Sequence, residues 1–129
     1  MDGIRQFSRR RNPFNHPAVM FKKESVEKAG GYEDFMLFED YHLWLKMLKN
    51  GCKGYNIQKP VLYMRAGSGL YERRGGLGYA RKILRFRWYM FTHGHAGIVD
   101  FLITAVGHSL VALVPGKVRR LFYERILRR

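Results

Sequence analysis

Cysteine is nearly absent from this sequence of 129 residues, since Cys52 is the only one. A lone cysteine closes no intrachain disulfide and supplies only one of the roughly four ligands of a structural zinc site. The shortage excludes a disulfide scaffold and a zinc finger, and it predicts a reducing compartment. Disorder is excluded as well, because 47% of the residues are hydrophobic and 15% are aromatic. A chain of this length folds around one core.

Acidic residues are scarce and unevenly distributed. The chain has 24 Lys and Arg against 10 Asp and Glu, a formal net charge of +14. Residues 1–40 hold seven bases and seven acids, so the whole excess lies in residues 41–129, with 17 bases and three acids. Such an excess predicts a surface that faces phosphates, whether in nucleic acid, in a lipid leaflet or in a phosphorylated small molecule. Charge alone does not choose among the three.

Long hydrophobic runs are also missing. The most apolar stretch, residues 97–114, has 12 apolar residues among 18 and reaches only the lower limit for a membrane-spanning helix. Within it, Asp100, Thr104 and His108 recur at helical spacing and form one polar stripe. We expect an amphipathic helix that lies against protein or in a membrane interface. Together with the helical spacing of residues 79–91, it predicts a basic, amphipathic helical tail over residues 79–129.

The part before this tail contains candidates for both strands and helices. Residues 18–22 form a short apolar run, most simply a buried strand, and residues 54–65 predict two extended runs broken by a proline. Ser25 can cap a short helix that ends at Gly30 or Gly31 in the left-handed region.

The most specific local signal is an acidic pair, Glu39 and Asp40, at the start of a second predicted helix. Apolar residues at helical spacing extend this helix toward Gly51 and predict a buried stripe of Tyr41, Trp44, Leu45 and Leu48. A carboxylate at such a position projects into a cleft and can act as a general base toward a substrate hydroxyl. The pair alone favours a simpler role, in which the acids stabilise the helix start through its dipole.

Five segments follow one another in a characteristic order: residues 11–21 (RNPFNHPAVMF), 30–32 (GGY), 38–45 (FEDYHLWL), 63–65 (YMR) and 73–76 (RRGG). This order resembles the second half of a family 2 glycosyltransferase of bacterial surface-polysaccharide synthesis, over about residues 11–80. The resemblance implies an α/β fold. Residues 1–78 would be the acceptor-side, C-terminal part of a GT-A-like mixed α/β domain, and residues 79–129 would be the basic amphipathic helices that follow it.

The resemblance also implies an activity, inverting sugar transfer. Asp40 matches the last residue of the family's acidic motif and would deprotonate the acceptor hydroxyl, with Glu39 as the neighbouring catalytic position. The hydroxyl would attack the anomeric carbon of a nucleotide-sugar and displace the nucleoside diphosphate. Alcohols are poor nucleophiles near neutral pH, so a fixed carboxylate beside the hydroxyl suits this reaction. The implied partners are a nucleotide-sugar donor and a saccharide or lipid-linked acceptor.

Four candidates for substrate binding lie near the acidic pair. Gly30, Gly31 and Tyr32 match the glycine turn that precedes the family's acidic motif. This turn would let the backbone approach a sugar or phosphate closely, and helix termination explains the two glycines equally well. Trp44 can stack on a sugar ring, although its helical spacing favours a place in the core.

Three further candidates lie in predicted loops. Arg73 and Arg74 suit a leaving diphosphate, because guanidinium groups pair with phosphate oxygens in a bidentate way, and a solvated loop explains them equally well. His16, between two prolines, either lines the acceptor cleft or is structural.

Two departures from the family pattern define what this chain is expected to lack. The Asp-x-Asp and the nucleotide-binding half should precede residue 11, and residues 1–10 contain neither. We therefore expect a fragment that is inactive alone. The complete enzyme is expected to need a divalent cation, Mg²⁺ or Mn²⁺. Because Ala66 and Gly67 stand where many relatives have a histidine, we predict no metal ligand in this chain.

The net positive charge suggests two functions other than catalysis, binding of nucleic acid and binding of an anionic membrane. A nucleic-acid-binding module fits the pI near 10.3, but the sequence has no recognition motif, and acids such as Asp34 and Asp40 would repel a phosphate backbone. A basic module that binds an anionic membrane fits residues 73–129 and is compatible with sugar transfer to a lipid-linked acceptor. We therefore expect no nucleic acid as a partner, and a peripheral location at the cytoplasmic face of the plasma membrane.

Overall fold

The computed structural model describes residues 2–35, 37–63, 75–116 and 118. Its helices, in chain order, are α1 (Asp2–Ser8), a 3-10 helix (His16–Ala18), α2 (Lys23–Lys28), α3 (Glu39–Lys49), α4 (Leu77–Thr92) and α5 (Ile98–Leu113). No strand occurs within the described ranges. The α/β class stays a prediction that rests on the family resemblance.

The expectation of a buried strand at residues 18–22 is wrong for this structure. Ala18 ends the 3-10 helix, residues 19–22 have no regular secondary structure, and Met20 is 98% exposed. A strand needs a neighbour that takes its backbone hydrogen bonds, and no described segment pairs with this one. Residues 54–63, the described part of the second predicted extended region, likewise have no regular structure and leave Tyr55 and Tyr63 exposed.

The helix α2 begins earlier than predicted and ends as predicted. Its first residue is Lys23, so Ser25 lies inside the helix rather than at its N-cap. At the other end Gly30 and Gly31 have φ angles of 82° and 69°. Their N–H groups donate to carbonyl oxygens of the last turn, at 2.9 Å each. This is the left-handed helix stop for which glycine is suited.

The predicted helix at the acidic pair is confirmed as α3, and the whole predicted stripe is buried. Burial extends beyond the stripe, because two hydrophobic clusters cover two different sides of α3. One cluster joins it to α4 through Tyr41, Leu45, Phe86, Met90 and Ala96. The other joins it to the end of α2 through Ala29, Leu43, Trp44 and Met47. The helix α3 is therefore the centre of the fold.

The two predicted C-terminal helices are confirmed as α4 and α5, which pack against each other. Because α3 and α4 share one cluster, hydrophobic contacts cross the predicted boundary between residues 78 and 79. The division into a catalytic part and a tail stays a prediction, and residues 117 and 119–129 lie outside the described residues. In the described ranges we find no helix with the length and apolarity needed to cross a bilayer.

The polar stripe of α5 faces the protein. Asp100 forms a salt bridge with Arg10, Thr104 is buried, and Nδ1 of His108 lies 3.2 Å from Nη2 of Arg87. Arg87 is buried as well, and its guanidinium also donates to the carbonyl oxygen of Arg10, at 2.9 Å. A guanidinium only donates hydrogen bonds, so Nδ1 of His108 must accept. His108 is therefore neutral, with its proton on Nε2.

Acid is expected to destabilise this fold between about pH 6.5 and 4. Burial, helped by the charges of Arg87 and Arg11, lowers the pKa of His108 from 6.5 to about 4. In this window His108 binds a proton in the unfolded chain but stays neutral in the folded chain. The free energy of unfolding therefore falls as the pH falls. The slope from His108 is at most about 1.4 kcal/mol per pH unit.

The measurement is urea unfolding of the wild type and of His108→Gln across this pH range. The variant should lose less stability in acid than the wild type. A smaller acid loss should remain in it, because burial also lowers the pKa of His95 to about 4. Equal slopes for the two proteins would contradict this role of His108.

Candidate functional site

Asp40 lies in the first turn of α3, half-buried. Its Oδ2 accepts a hydrogen bond from Nδ2 of Asn12, at 3.0 Å. The Asn12 side chain is itself oriented, because its Oδ1 accepts from the N–H of Phe14, at 3.4 Å. Asn12 is the only hydrogen-bond partner of the Asp40 carboxylate among the described residues. The carboxylate is thus held at one oxygen and can accept a further hydrogen bond at the other.

Tyr32 lies beside Asp40. Burial raises the pKa of the Tyr32 hydroxyl, and the negative charge of Asp40 raises it further. The loop that carries Tyr32 is fastened to α3 by Lys46, whose Nζ donates to the carbonyl oxygen of Gly31, at 3.1 Å, and to the Glu33 carboxylate. The Lys46 ammonium lowers the pKa of Glu33, mainly through this hydrogen bond. We call the group of Asn12, Tyr32 and Asp40 the Asp40 site.

Glu39 has a different environment from its neighbour Asp40. Its Oε1 accepts a hydrogen bond from the N–H of Leu37, at 2.9 Å. Leu37 has a φ of 83°, which is an unfavourable backbone conformation for a residue with a Cβ. The Glu39 carboxylate therefore stabilises the strained turn that starts α3. In this structure Glu39 bonds to the turn that precedes Asp40, whereas the Asp40 carboxylate bonds to Asn12 and lies near Tyr32.

Trp44, predicted as a residue that binds substrate, is in the core. It is only 2% exposed, with the ring of Phe14 edge-on at 6.0 Å and that of Phe21 tilted at 5.7 Å. A sugar cannot stack on an indole that is covered in this way, so the core alternative is correct. The indole Nε1 is buried and has no hydrogen-bond partner within the described residues.

Among the predicted residues that the structure describes, Gly30, Gly31 and His16 make no recorded contact with Asp40. Gly30 and Gly31 stop α2, and their positive φ angles are explained by that role. His16 is exposed at the start of the 3-10 helix, and no contact joins it to Asp40 in the described part of the chain. The predicted diphosphate-binding residues, Arg73 and Arg74, lie outside the described residues.

Asn12 is the residue of the site that sequence reasoning missed as a candidate. The sequence does contain one signal, because an asparagine before a proline often bonds its own backbone two residues on, as Asn12 does with Phe14. Its contact with Asp40 joins positions 28 residues apart in the sequence, and no local pattern predicts it.

A divalent cation has no suitable ligand set here. In the ranges that the structure describes, no group of three or more His, Cys, Asp or Glu side chains could hold a metal ion. At the Asp40 site the donors are one carboxylate and one amide, since the Glu39 carboxylate bonds to the backbone of Leu37. The described residues therefore do not fit a cation that this chain would hold by itself.

Comparison with known proteins relates almost the whole chain to bacterial enzymes. It is 39% identical over 128 residues, 99% of this chain and 46% of the relative, to UDP-Gal:alpha-D-GlcNAc-diphosphoundecaprenol beta-1,3-galactosyltransferase of Escherichia coli. It is 31% identical over 122 residues, 95% of this chain and 46% of the relative, to the amylovoran biosynthesis glycosyltransferase AmsE of Erwinia amylovora. An uncharacterized glycosyltransferase of Haemophilus influenzae is 33% identical over 126 residues, 98% of this chain and 46% of that protein.

This chain spans about half the length of the curated relatives it matches. No protein-family model and no solved structure matches it.

Proposed function

We propose that this chain, a homologue of glycosyltransferases of polysaccharide biosynthesis, is the acceptor-side, C-terminal part of an inverting family 2 enzyme with a GT-A fold. The observation that carries the proposal is the half-buried carboxylate of Asp40, held by Asn12 at one oxygen in a chain with these relatives. The relatives' names support a nucleotide-sugar as donor and a saccharide or lipid-linked acceptor.

Asp40 acts as the general base in this proposal. Its carboxylate accepts the proton of the acceptor hydroxyl while the hydroxyl oxygen bonds to the anomeric carbon of the donor. The bond between that carbon and the diphosphate oxygen breaks, and the nucleoside diphosphate leaves with the electron pair. Attack opposite to the leaving group inverts the anomeric configuration. The hydrogen bond from Asn12 fixes the carboxylate, which reduces the orientational freedom that the reaction must otherwise remove.

Tyr32 is proposed to bind the acceptor. Its hydroxyl is protonated at neutral pH, as in any tyrosine whose pKa is not lowered, so it can donate a hydrogen bond to a sugar oxygen beside Asp40. Its ring is about half exposed and offers an apolar face to the sugar. Tyr32 and Asp40 together would position one acceptor hydroxyl.

The donor side is proposed to lie in the part of the relatives that this chain does not span. A divalent cation there would neutralise charge on the leaving diphosphate, and we expect Mg²⁺ or Mn²⁺. The described residues offer that cation no ligand set, so its ligands are proposed to lie in the same part of the relatives. The isolated chain is therefore expected to transfer no sugar.

A hybrid enzyme tests the proposal. This chain would replace the matched region of the Escherichia coli galactosyltransferase, with that relative's donor and acceptor as substrates. We expect the hybrid to transfer the sugar and the isolated chain to transfer none. A β-linked product from the α-linked donor, identified by NMR, would show inversion.

A binding experiment accompanies the hybrid, because a hybrid can fail to fold. The isolated chain should bind a short-chain acceptor analogue, with NMR shift changes centred on the Asp40 site. A folded hybrid without transfer, together with an isolated chain that does not bind the acceptor analogue, would overturn the proposal.

A further inference from the structure

The helix α5 exposes its apolar side to solvent. Six apolar side chains are between 51% and 60% exposed: Val99, Leu102, Ile103, Val106, Leu110 and Leu113. Each has another of the six three or four residues away, and at helical periodicity all six lie on one side of the helix. We call these six side chains the α5 apolar face. An amphipathic helix at a protein surface normally turns such a face toward the core, so this arrangement is the reverse of the usual one.

Contacts with the turn after α1 and with α4 hold α5 in this orientation. Asp100 and His108 bond to Arg10 and Arg87 on the opposite side of the helix. At its C-terminal end, the carbonyl oxygen of Ala112 accepts a hydrogen bond from the N–H of Gly76, at 2.9 Å. Rotation of α5 toward the core would break these contacts and would bury a carboxylate without its partner. The outward direction of the α5 apolar face is therefore built into the fold.

Trp88 of α4 borders this face, and two arginines lie on the same side of α4 as Trp88. The ring of Trp88, which is 56% exposed, lies edge-on to Phe101 of α5 at 5.8 Å. Arg81 and Arg85 precede Trp88 by seven and three residues, so they lie on the same side of α4, and both are exposed. Asp100, the only acid in α5, is turned away from the face toward Arg10.

We infer that the α5 apolar face docks this protein on an anionic membrane, with α5 parallel to the membrane plane. The six side chains enter the boundary between headgroups and acyl chains, Trp88 lies at headgroup level, and Arg81 and Arg85 pair with lipid phosphates. A symmetric dimer through the same face would bring the arginines of two copies together, and like charges disfavour it. This inference goes beyond the proposed sugar transfer and names the surface that would hold a lipid-linked acceptor close.

Sedimentation with vesicles tests the inference. The chain should pellet with vesicles of phosphatidylcholine and phosphatidylglycerol, and less with phosphatidylcholine alone or at high salt. The double variant Leu102→Gln and Val106→Gln should bind about tenfold more weakly or worse, because it removes two inserted apolar side chains. Replacing Arg81 and Arg85 by Gln should weaken binding roughly fivefold per residue on the anionic vesicles.

The matched control is the double variant Ile57→Gln and Val61→Gln, which removes two exposed apolar side chains outside the face. It should bind vesicles like the wild type, and circular dichroism should show the same helix content in all variants. Trp88 fluorescence should shift to shorter wavelength on binding, while buried Trp44 contributes a constant signal.

Equal binding by the wild type and the Leu102/Val106 variant would overturn the inference. So would a dimer, seen by sedimentation velocity, that this variant abolishes and that does not bind vesicles. None of these measurements uses a sugar or a nucleotide. Failure of vesicle binding therefore does not contradict the proposed sugar transfer. Failure of sugar transfer does not contradict membrane docking through the α5 apolar face.

Discussion

The substitution Asp40→Asn is expected to lower the kcat of the complete enzyme by about 10²–10⁴-fold, with little change in KM for the acceptor. The carboxamide has nearly the shape of the carboxylate, and its oxygen can still accept the hydrogen bond from Nδ2 of Asn12. The fold and the acceptor site are therefore retained. What disappears is the group that takes the acceptor proton. Initial rates of sugar transfer in the hybrid enzyme measure the effect.

Two control variants separate this chemistry from a general loss of negative charge. Glu27→Gln removes an exposed carboxylate from α2 and should leave transfer unchanged. Glu39→Gln keeps an acceptor for the N–H of Leu37 and should retain most of the rate, because Glu39 positions the turn. A large loss in Glu39→Gln with near-normal transfer in Asp40→Asn would exchange the two roles and contradict the assignment of the base.

The helices of this chain could be predicted from the sequence because each has a strong periodic pattern. The sequence pattern of α3 predicts both its start at Glu39 and its buried stripe. The pattern of α5 predicts the polar stripe of Asp100, Thr104 and His108. Periodicity defines the two faces of a helix without saying which of them meets the protein. For α5 that choice depends on Arg10, in the turn after α1, and on Arg87 of α4.

The candidate site was only partly predictable, for the same physical reason. Asp40 could be found because a local motif contains it. The contact with Asn12 and the covering of Trp44 by Phe14 and Phe21 depend on chain segments that meet only after folding. The strand expected at residues 18–22 needs a hydrogen-bonding neighbour, and an apolar run by itself cannot specify one.

The substitution Phe86→Ala is expected to cost about 3–5 kcal/mol of unfolding free energy, the largest loss from a single core position that we predict. Phe86 is fully buried. Its ring stacks on Phe38 at a centroid distance of 4.6 Å and lies 5.1 Å from Tyr41 and 5.2 Å from Phe35. Removal of the ring leaves a cavity and also removes these aromatic contacts. Urea unfolding followed by circular dichroism measures the loss.

This loss should extend to the candidate site, because Phe38 is the N-cap residue of α3 and directly precedes Glu39 and Asp40. Without the stacked ring, the turn at the start of α3 loses its support from α4, and the Asp40 carboxylate becomes less well ordered. Phe86→Leu keeps a large apolar side chain, so it should lose less unfolding free energy and disturb the Asp40 carboxylate less. Leu77→Ala, at an exposed position of the same helix, should change stability by about 0.5 kcal/mol or less. A similar loss in Phe86→Ala and Leu77→Ala would contradict the central place of this ring in the core.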